Sequence, residues 1–491
     1  MLTIVLLIAS AAAAAPGVAD EALDTPTFFA ENDELRAYLV EAGENHPAIE
    51  ALYYEWQAAM ERVPQVRALD DPKLSLGQFL LSETSRFKVA IQQSFPWFGT
   101  RRARAEKAQE DAEAALARLV AERNRVFARV KRAYFQYAYL HGSIDVADAQ
   151  TELLSYMEEV VRAKYALGLA EQDELLRVQI EEAQVEDQRD SLVASRPSLG
   201  AQLNEALGRT QADLPPWPAE TVLLPQPPDV ATLLTQARAA NPDLEVYDHL
   251  AASQRQQMEI ARKAGLPDFT IGLEYVSISK PRQIRPDRPY PATLNAIQRQ
   301  LGATANYNRS ALQATRRLLA GQQPGGLARQ PRANALIDTY SIVTANEPMA
   351  YSDGGEDNLM ISLSMNVPIW RKRVRAGIQE ARHREQAAEA GRHSKALAIE
   401  AALHEAHFGF VDAQRRLDLY TESLLPKARE TYESLQTNYA ASAGAGFIDV
   451  LDSVQTLLAF ELEKVRARRD LYIAGAELQL LTGWNWPQPG D

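Results

Sequence analysis

Ile91-Gln92-Gln93-Ser94-Phe95-Pro96-Trp97 and Leu363-Ser364-Met365-Asn366-Val367-Pro368-Ile369-Trp370 are two versions of one message. In each, apolar residues alternate with small or polar ones, a Pro and a Trp close the run, and an Arg- and Ala-rich stretch follows. Working outward, the segment from Asn45-His46-Pro47 to Asp70-Asp71-Pro72-Lys73-Leu74 is answered by Asn241-Pro242-Asp243 to Leu266-Pro267-Asp268-Phe269. Each copy then ends in Ala206-Leu207-Gly208 or Leu481-Thr482-Gly483. A period near two hundred residues is too long for a solenoid. The chain therefore reads as two related structural repeats, 20–210 and 231–491, joined by a Pro-rich linker over 211–230.

Long helices dominate both halves. From Arg101 to Tyr165, apolar positions such as Leu116, Leu119, Val126, Val130, Tyr137, Leu140, Ile144, Leu154 and Val161 return in steps of three and four. The register passes through Gly142 without a shift, which predicts one continuous helix in which this glycine is a tolerated cost of roughly 1 kcal/mol. Arg371 to about Asn438 predicts a second helix of similar length. Return helices are expected over about 173–208 and 449–482, and Pro47 and Pro242 open shorter helices where a missing N–H costs nothing. A short pair laid end to end would cover the apolar stripe of each long helix, as in an antiparallel coiled coil.

Strand patterns occupy the gaps, at about 73–95 (a pair), 268–279 and 358–368. One face is apolar (Leu359, Ile361, Leu363, Met365) and the other is Ser, Asn, Gln, Gly and Thr. A half-buried soluble sheet shares this period, but an apolar outside and a small, polar inside also fit a water-filled membrane barrel. Trp97, Phe98 and Trp370, just past the strand ends, stand where an interfacial aromatic belt is expected. The smallest membrane barrels have eight strands, and an open edge in lipid leaves backbone groups without partners. Four strands that enter a membrane must therefore share a barrel with other chains.

Composition narrows the rest. The chain has 491 residues, 46% hydrophobic, with a formal charge of −13 and no cysteine. This excludes disulfides and thiolate metal sites, and argues against nucleic-acid binding. Leu2 to Ala15 reads as the core of an export signal over 1–19, cleaved after Ala19. No later run reaches the ~18 apolar residues of a membrane-spanning helix. His404-Glu405-Ala406-His407 is one residue short of a zinc-protease motif, and the histidines and methionines do not cluster. The residues suggest no metal, cofactor or enzyme site.

These features together resemble the TolC-type outer-membrane efflux proteins over most of residues 33 to 483. Carrying the resemblance are the duplicated Asn-Pro openings, Asp71-Pro72, Pro267-Asp268, Phe95-Pro96-Trp97-Phe98-Gly99, Asn366 to Arg371, and Ile448-Asp449-Val450-Leu451-Asp452 after a Tyr/Gly/Ala-rich turn. It implies a mainly α fold with a small transmembrane β part. Four strands per protomer would form a shared trimeric barrel, continued by a long α-helical coiled-coil tunnel in the periplasm. It further implies a homotrimer in outer-membrane lipid, docked through a periplasmic adaptor onto an inner-membrane pump of proton-driven RND or ABC type. The other function class compatible with these residues is a periplasmic adaptor or coiled-coil scaffold, which would not need the strands.

By the same resemblance the tunnel closes at the helical turns Ala166 to Gln172 and Ala440 to Phe447. Asp449, Asp452 and Asp173 are then the candidate pore-constriction residues, since rings of carboxylates filter cations. Asp173 and Asp449 each precede a predicted helix and serve equally well as N-caps; Asp452, inside the helix, does not. The family's basic residue four positions before the first aspartate is here Ala445, so any salt-bridge latch must differ. A second departure is 280–332, with ten Lys or Arg and one acid, Asp287. The resemblance places this connection outside the cell, and its Pro, Gly, Gln and Arg content reads as a loop with a short helix over Ser310 to Leu319. An insertion without a role is the simpler account, and contact with anionic lipid the functional one.

Overall fold

The computed structural model describes residues 33–80, 85–210, 213–219, 226–278, 291–321, 357–441 and 446–482. The expected signal over 1–19, Ala445 and Gly483 lie outside the described residues. Two compact units emerge: 69–96 with 268–367 holds all the described strands, and the described elements of the other unit are helices.

In the helical unit, α1 (Asp33–Asn45) and α2 (Pro47–Arg67) precede α3 (Thr100–Ala166), which is 67 residues long and about 100 Å from end to end. Next come α4 (Gln172–Leu207), α5 (Val230–Ala240) and α6 (Pro242–Lys263). The second long helical run is α8 (Arg371–Asp418), a π turn over Leu419–Leu424, and α9 (Leu425–Ala440), followed by α10 (Phe447–Thr482). The π turn corrects the expectation of a uniform second helix. Its cause is Pro426, which lacks the N–H that the Glu422 carbonyl would accept and whose ring crowds that carbonyl.

Helix α3 packs along α2 and α4 of its own half and along α6 and α10 of the other; α8 packs on α6 and α10. Its buried stripe (Leu119, Val126, Val130, Tyr134, Tyr137, Leu140, Leu154, Val161) follows the 3–4 spacing of the sequence. Gly142 proves to be more than a tolerated cost. A Cβ there would lie 2.8 Å from Val465 Cγ1, so Val465 or α10 would have to shift to admit one. The repeat motifs also acquire a reason. His46 Nδ1 caps α2 by accepting the N–H of Ala48, at 3.2 Å, and Asn241 Oδ1 caps α6 by accepting that of Asp243, at 2.9 Å. Gly208, with φ 75°, lies against His46 and Pro47, where a Cβ would meet the His46 Cα at 3.0 Å. In the other half Asn241 Nδ2 donates to the Leu481 carbonyl at 2.8 Å. In both halves, the closing motif docks on the helix that the opening motif caps.

Lys131 on α3 is buried, and its ammonium donates to Gln479 Oε1 on α10. Burial pushes its pKa down to about 7. An unfolded lysine keeps its proton up to about pH 10.5. Between about 7 and 10.5 the unfolded chain thus binds the extra proton, and stability rises with pH across that window. Lys131→Met combined with Gln479→Leu, which removes the ammonium without stranding the buried Gln479 carbonyl, is expected to stabilise the protein at and below neutral pH, by on the order of 1–4 kcal/mol. It should also flatten the rise of Tm between pH 7 and 10 in detergent. A variant less stable than the parent at pH 7 would show that the ammonium is held by more than its burial suggests.

The strand unit is one antiparallel sheet in the order β1 (Lys73–Gln78), β2 (Ser85–Phe95), β3 (Phe269–Ile278), β4 (Asn358–Met365). Register places Leu74, Ile91, Leu273 and Ile361 in one cross-strand row, and Leu76, Val89, Tyr275 and Leu359 in the next. The opposite face carries Lys73, Gln92, Gly272 and Ser362, then Ser75, Ala90, Glu274 and Met360. Ser94 and Thr270 bond through their hydroxyls at 3.1 Å there, and Lys88 pairs with Glu274 at 2.5 Å. Within the chain the apolar face is bare: Leu76 is 74% exposed and Ile361 77%. The unit also holds α7 (Pro291–Leu319), a 29-residue helix where the sequence suggested a loop with a short helix over Ser310–Leu319.

Candidate pore constriction at the helical turns

The far ends of the long helices share an apolar cluster built from Leu154, Met157 and Val161 of α3, Val178 of α4, Tyr432 of α9, and Phe447, Val450 and Val454 of α10. Helix α3 stops there because Gly168 takes a left-handed conformation (φ 73°). Leu169 N–H then donates to the Lys164 carbonyl at 2.8 Å and Gly168 N–H to that of Tyr165 at 3.0 Å. This is the Schellman closure that a glycine after the last helical turn permits.

The aspartates singled out in the sequence lie on the open side of this cluster. Helix α10 begins at Phe447, so Asp449 is its third residue and not its N-cap. Its Oδ2 accepts the N–H of Gly446 at 3.2 Å, the acidic arm of a capping box. Asp452 lies one turn on, and both are exposed while Val450, Leu451, Ser453 and Val454 between and after them are buried. Three residues apart, they share one helix face. The Asp452 carboxylate has no partner among the described residues. Asp173 is the second residue of α4, again not its cap, and lies 3.8 Å from Arg177 Nε. No hydrogen bond or ion pair joins Asp173 to Asp449 or Asp452 among the described residues.

What joins the two turns is a trio that sequence reasoning missed. The Tyr439 hydroxyl, in the last turn of α9, donates to Glu174 Oε2 in the first turn of α4 at 2.8 Å. Lys164 Nζ, in the last turn of α3, lies 3.8 Å from the centre of the Tyr439 ring and donates to the Tyr439 carbonyl. Burial, and then the Glu174 carboxylate, push the Tyr439 phenol above its ordinary value. The trio thus ties the first hairpin to the second within one chain, and does so without a basic residue at position 445. Its members lie 265 and 275 positions apart from Tyr439. The only sequence signal was that each flanks an expected turn.

Of the proposed interface aromatics, Phe98 (79%) and Trp370 (73%) are largely exposed, while Trp97 is half-buried, its ring edge-on to that of Phe98 with centres 5.9 Å apart. No helix among the described residues is long and apolar enough to cross a membrane.

No curated protein matches the chain in sequence. Among solved structures, the outer membrane protein VceC of Vibrio cholerae is similar with a TM-score of 0.65 at 17% identity, over 93% of this chain and 98% of that one. The CmeC outer membrane channel of Campylobacter jejuni gives 0.63 at 12% identity, over 94% and 88%. The MtrE outer membrane channel of Neisseria gonorrhoeae, in its open state, gives 0.60 at 14%, over 92% and 89%. At these identities the likeness is one of fold. Residues 38–209 match the family model described as outer membrane efflux protein, so the first half carries that family's sequence signature and the chain as a whole its TolC-type fold.

Proposed function

We propose that this chain is one protomer of a trimeric outer-membrane channel, the passive exit duct of a tripartite efflux or secretion system. A periplasmic adaptor and an inner-membrane pump, of proton-driven RND or ABC type, would deliver its cargo and supply the energy. The observation that carries the proposal is the four-stranded sheet, whose edge strands β1 and β4 pair with no further strand among the described residues, with an exposed apolar face and a polar opposite face. An adaptor or scaffold has no use for such a sheet, whereas a shared barrel satisfies its edges and covers its apolar face with lipid. The family signature over 38–209 points the same way.

In this reading Asp449 and Asp452, repeated three times, form a cation-binding ring at the periplasmic entrance, with Asp173 nearby in the first hairpin. The test is single-channel recording in planar bilayers. Asp449→Ala with Asp452→Ala is expected to weaken block by divalent cations by roughly tenfold or more, because six carboxylates leave the ring and an ion that touches only two of them loses on the order of 1 kcal/mol from each. Block unchanged by the double substitution would leave Asp449 as a helix-terminal group only. A protein that never forms conducting pores would remove the channel proposal itself.

A further inference from the structure

Helix α7 packs extensively against no other described element, yet its exposed surface is strongly two-sided. Positions 301, 305, 308, 312, 315 and 319 recur in steps of three and four, so they form one stripe along the helix. All six are exposed. Leu301, Leu312 and Leu319 supply its bulk, at 63, 57 and 85% exposure, and Leu318 (60%) widens its end. Arg309 and Arg316, one heptad apart, flank the stripe on one side, with Arg299 and Arg317 farther round the helix. From Pro291 to Leu319 there is no acidic residue. A leucine stripe edged by arginines on a helix of low mean hydropathy is the pattern of a helix lying in a membrane surface.

We propose that α7 is an interfacial anchor, lying in the outer surface of the membrane with its leucines among acyl chains and its arginines on lipid phosphates. The inference rests on the barrel reading. Strands β3 and β4 leave the helical unit at Phe269 and re-enter it after Met365, so α7 is tethered to the other end of the sheet, past Ile278. Twelve residues, 279–290, separate Ile278 from Pro291 in the sequence. Fully extended they reach on the order of 40 Å, enough to set the helix on lipid beside the barrel. Charge complementarity selects the occupant: arginines without acids suit an anionic lipid surface and repel a second copy of the same helix.

The chain has no cysteine, so single labels are clean. Leu312→Cys, on the stripe, and Gln313→Cys, off it, would carry a polarity-sensitive fluorophore in the full-length protein. Each would be reconstituted in phosphatidylcholine vesicles with and without phosphatidylglycerol. With phosphatidylglycerol, the label at 312 is expected to be quenched by brominated lipid and protected from iodide, and the label at 313 the reverse. Reversing Arg309, Arg316 and Arg317 to Glu should reduce the lipid-to-iodide quenching ratio at 312, by roughly fivefold for each arginine lost. That variant should keep its assembly and conductance. Labels open to iodide at both positions would overturn the proposal. So would a label at 312 shielded from both quenchers in either lipid, which would place the helix inside the barrel or between protomers. Conductance in the same vesicles reads the channel separately: lipid quenching at 312 without conductance fails the channel and keeps the anchor.

Discussion

A cysteine on β1 and another on β4 are expected to join different chains and never the same one. The sheet order β1-β2-β3-β4 puts three strand spacings between the two edges. That is about 14 Å at 4.8 Å per spacing, twice the ~7 Å beyond which two cysteines cannot be bridged. Leu76→Cys paired in turn with Leu359→Cys, Ile361→Cys and Leu363→Cys samples the registers that β1 of one chain can adopt on β4 of the next. The native chain contributes no competing thiol. Oxidation in detergent should yield a ladder that stops at three chains with nearly complete conversion in the best register, because ring closure leaves no edge free. The effect is close to all-or-none, since unpaired edge groups in lipid cost several kcal/mol each. A stable, monodisperse monomer, or a ladder with no upper limit, would remove the trimeric barrel.

The sheet that makes this test possible was legible because period two survives in every strand, and the long helices because period 3.6 survives over sixty residues. Positions whose role depends on a distant partner were harder to read. Gly142 looked like a tolerated flaw, since nothing local announces that Val465 will stand 2.8 Å from the place of its Cβ. The α7 helix was hidden by Asn308 and Thr315, which interrupt its leucine stripe, and by a content of Gln, Asn and Arg that suits a loop equally well. Pro426 sits in an otherwise uninterrupted pattern, and a π turn absorbs it without shifting the apolar stripe enough to be noticed. An N-cap was an equal alternative for Asp449 and Asp173, because helix starts are uncertain by a residue or two from pattern alone. The structure moves both inside the first turn and leaves their exposure, on which a pore ring depends, intact.

Breaking the Lys164–Tyr439–Glu174 trio is expected to open the tunnel far more than removing the aspartates. The aspartates lie on exposed helix faces and make no bond across the turns among the described residues, whereas the trio joins α3, α4 and α9. Tyr439→Phe removes the hydroxyl and keeps the ring over which Lys164 sits; Glu174→Gln removes the charge and keeps the shape. A hydrogen bond to a carboxylate contributes about 1.5 kcal/mol or more. If the three protomers move together, losing it in each sums to roughly 4.5 kcal/mol and raises the open population by on the order of a thousandfold. Planar-bilayer recordings should show the variants as frequently open at potentials that leave the parent closed. Crosslinking across the β1 and β4 edges would confirm that they remain trimers. A pH scan separates a latch from a packing effect. The phenol's pKa is raised in the folded chain by burial and by Glu174, so its contribution is fully present below the ordinary tyrosine value near 10. That contribution is lost as pH rises through the higher folded value. The parent should therefore begin to open only above about pH 10, and Tyr439→Phe, already open, should show no such step. If both substitutions leave conductance unchanged, the trio merely fastens one helix end to another and the closure lies elsewhere.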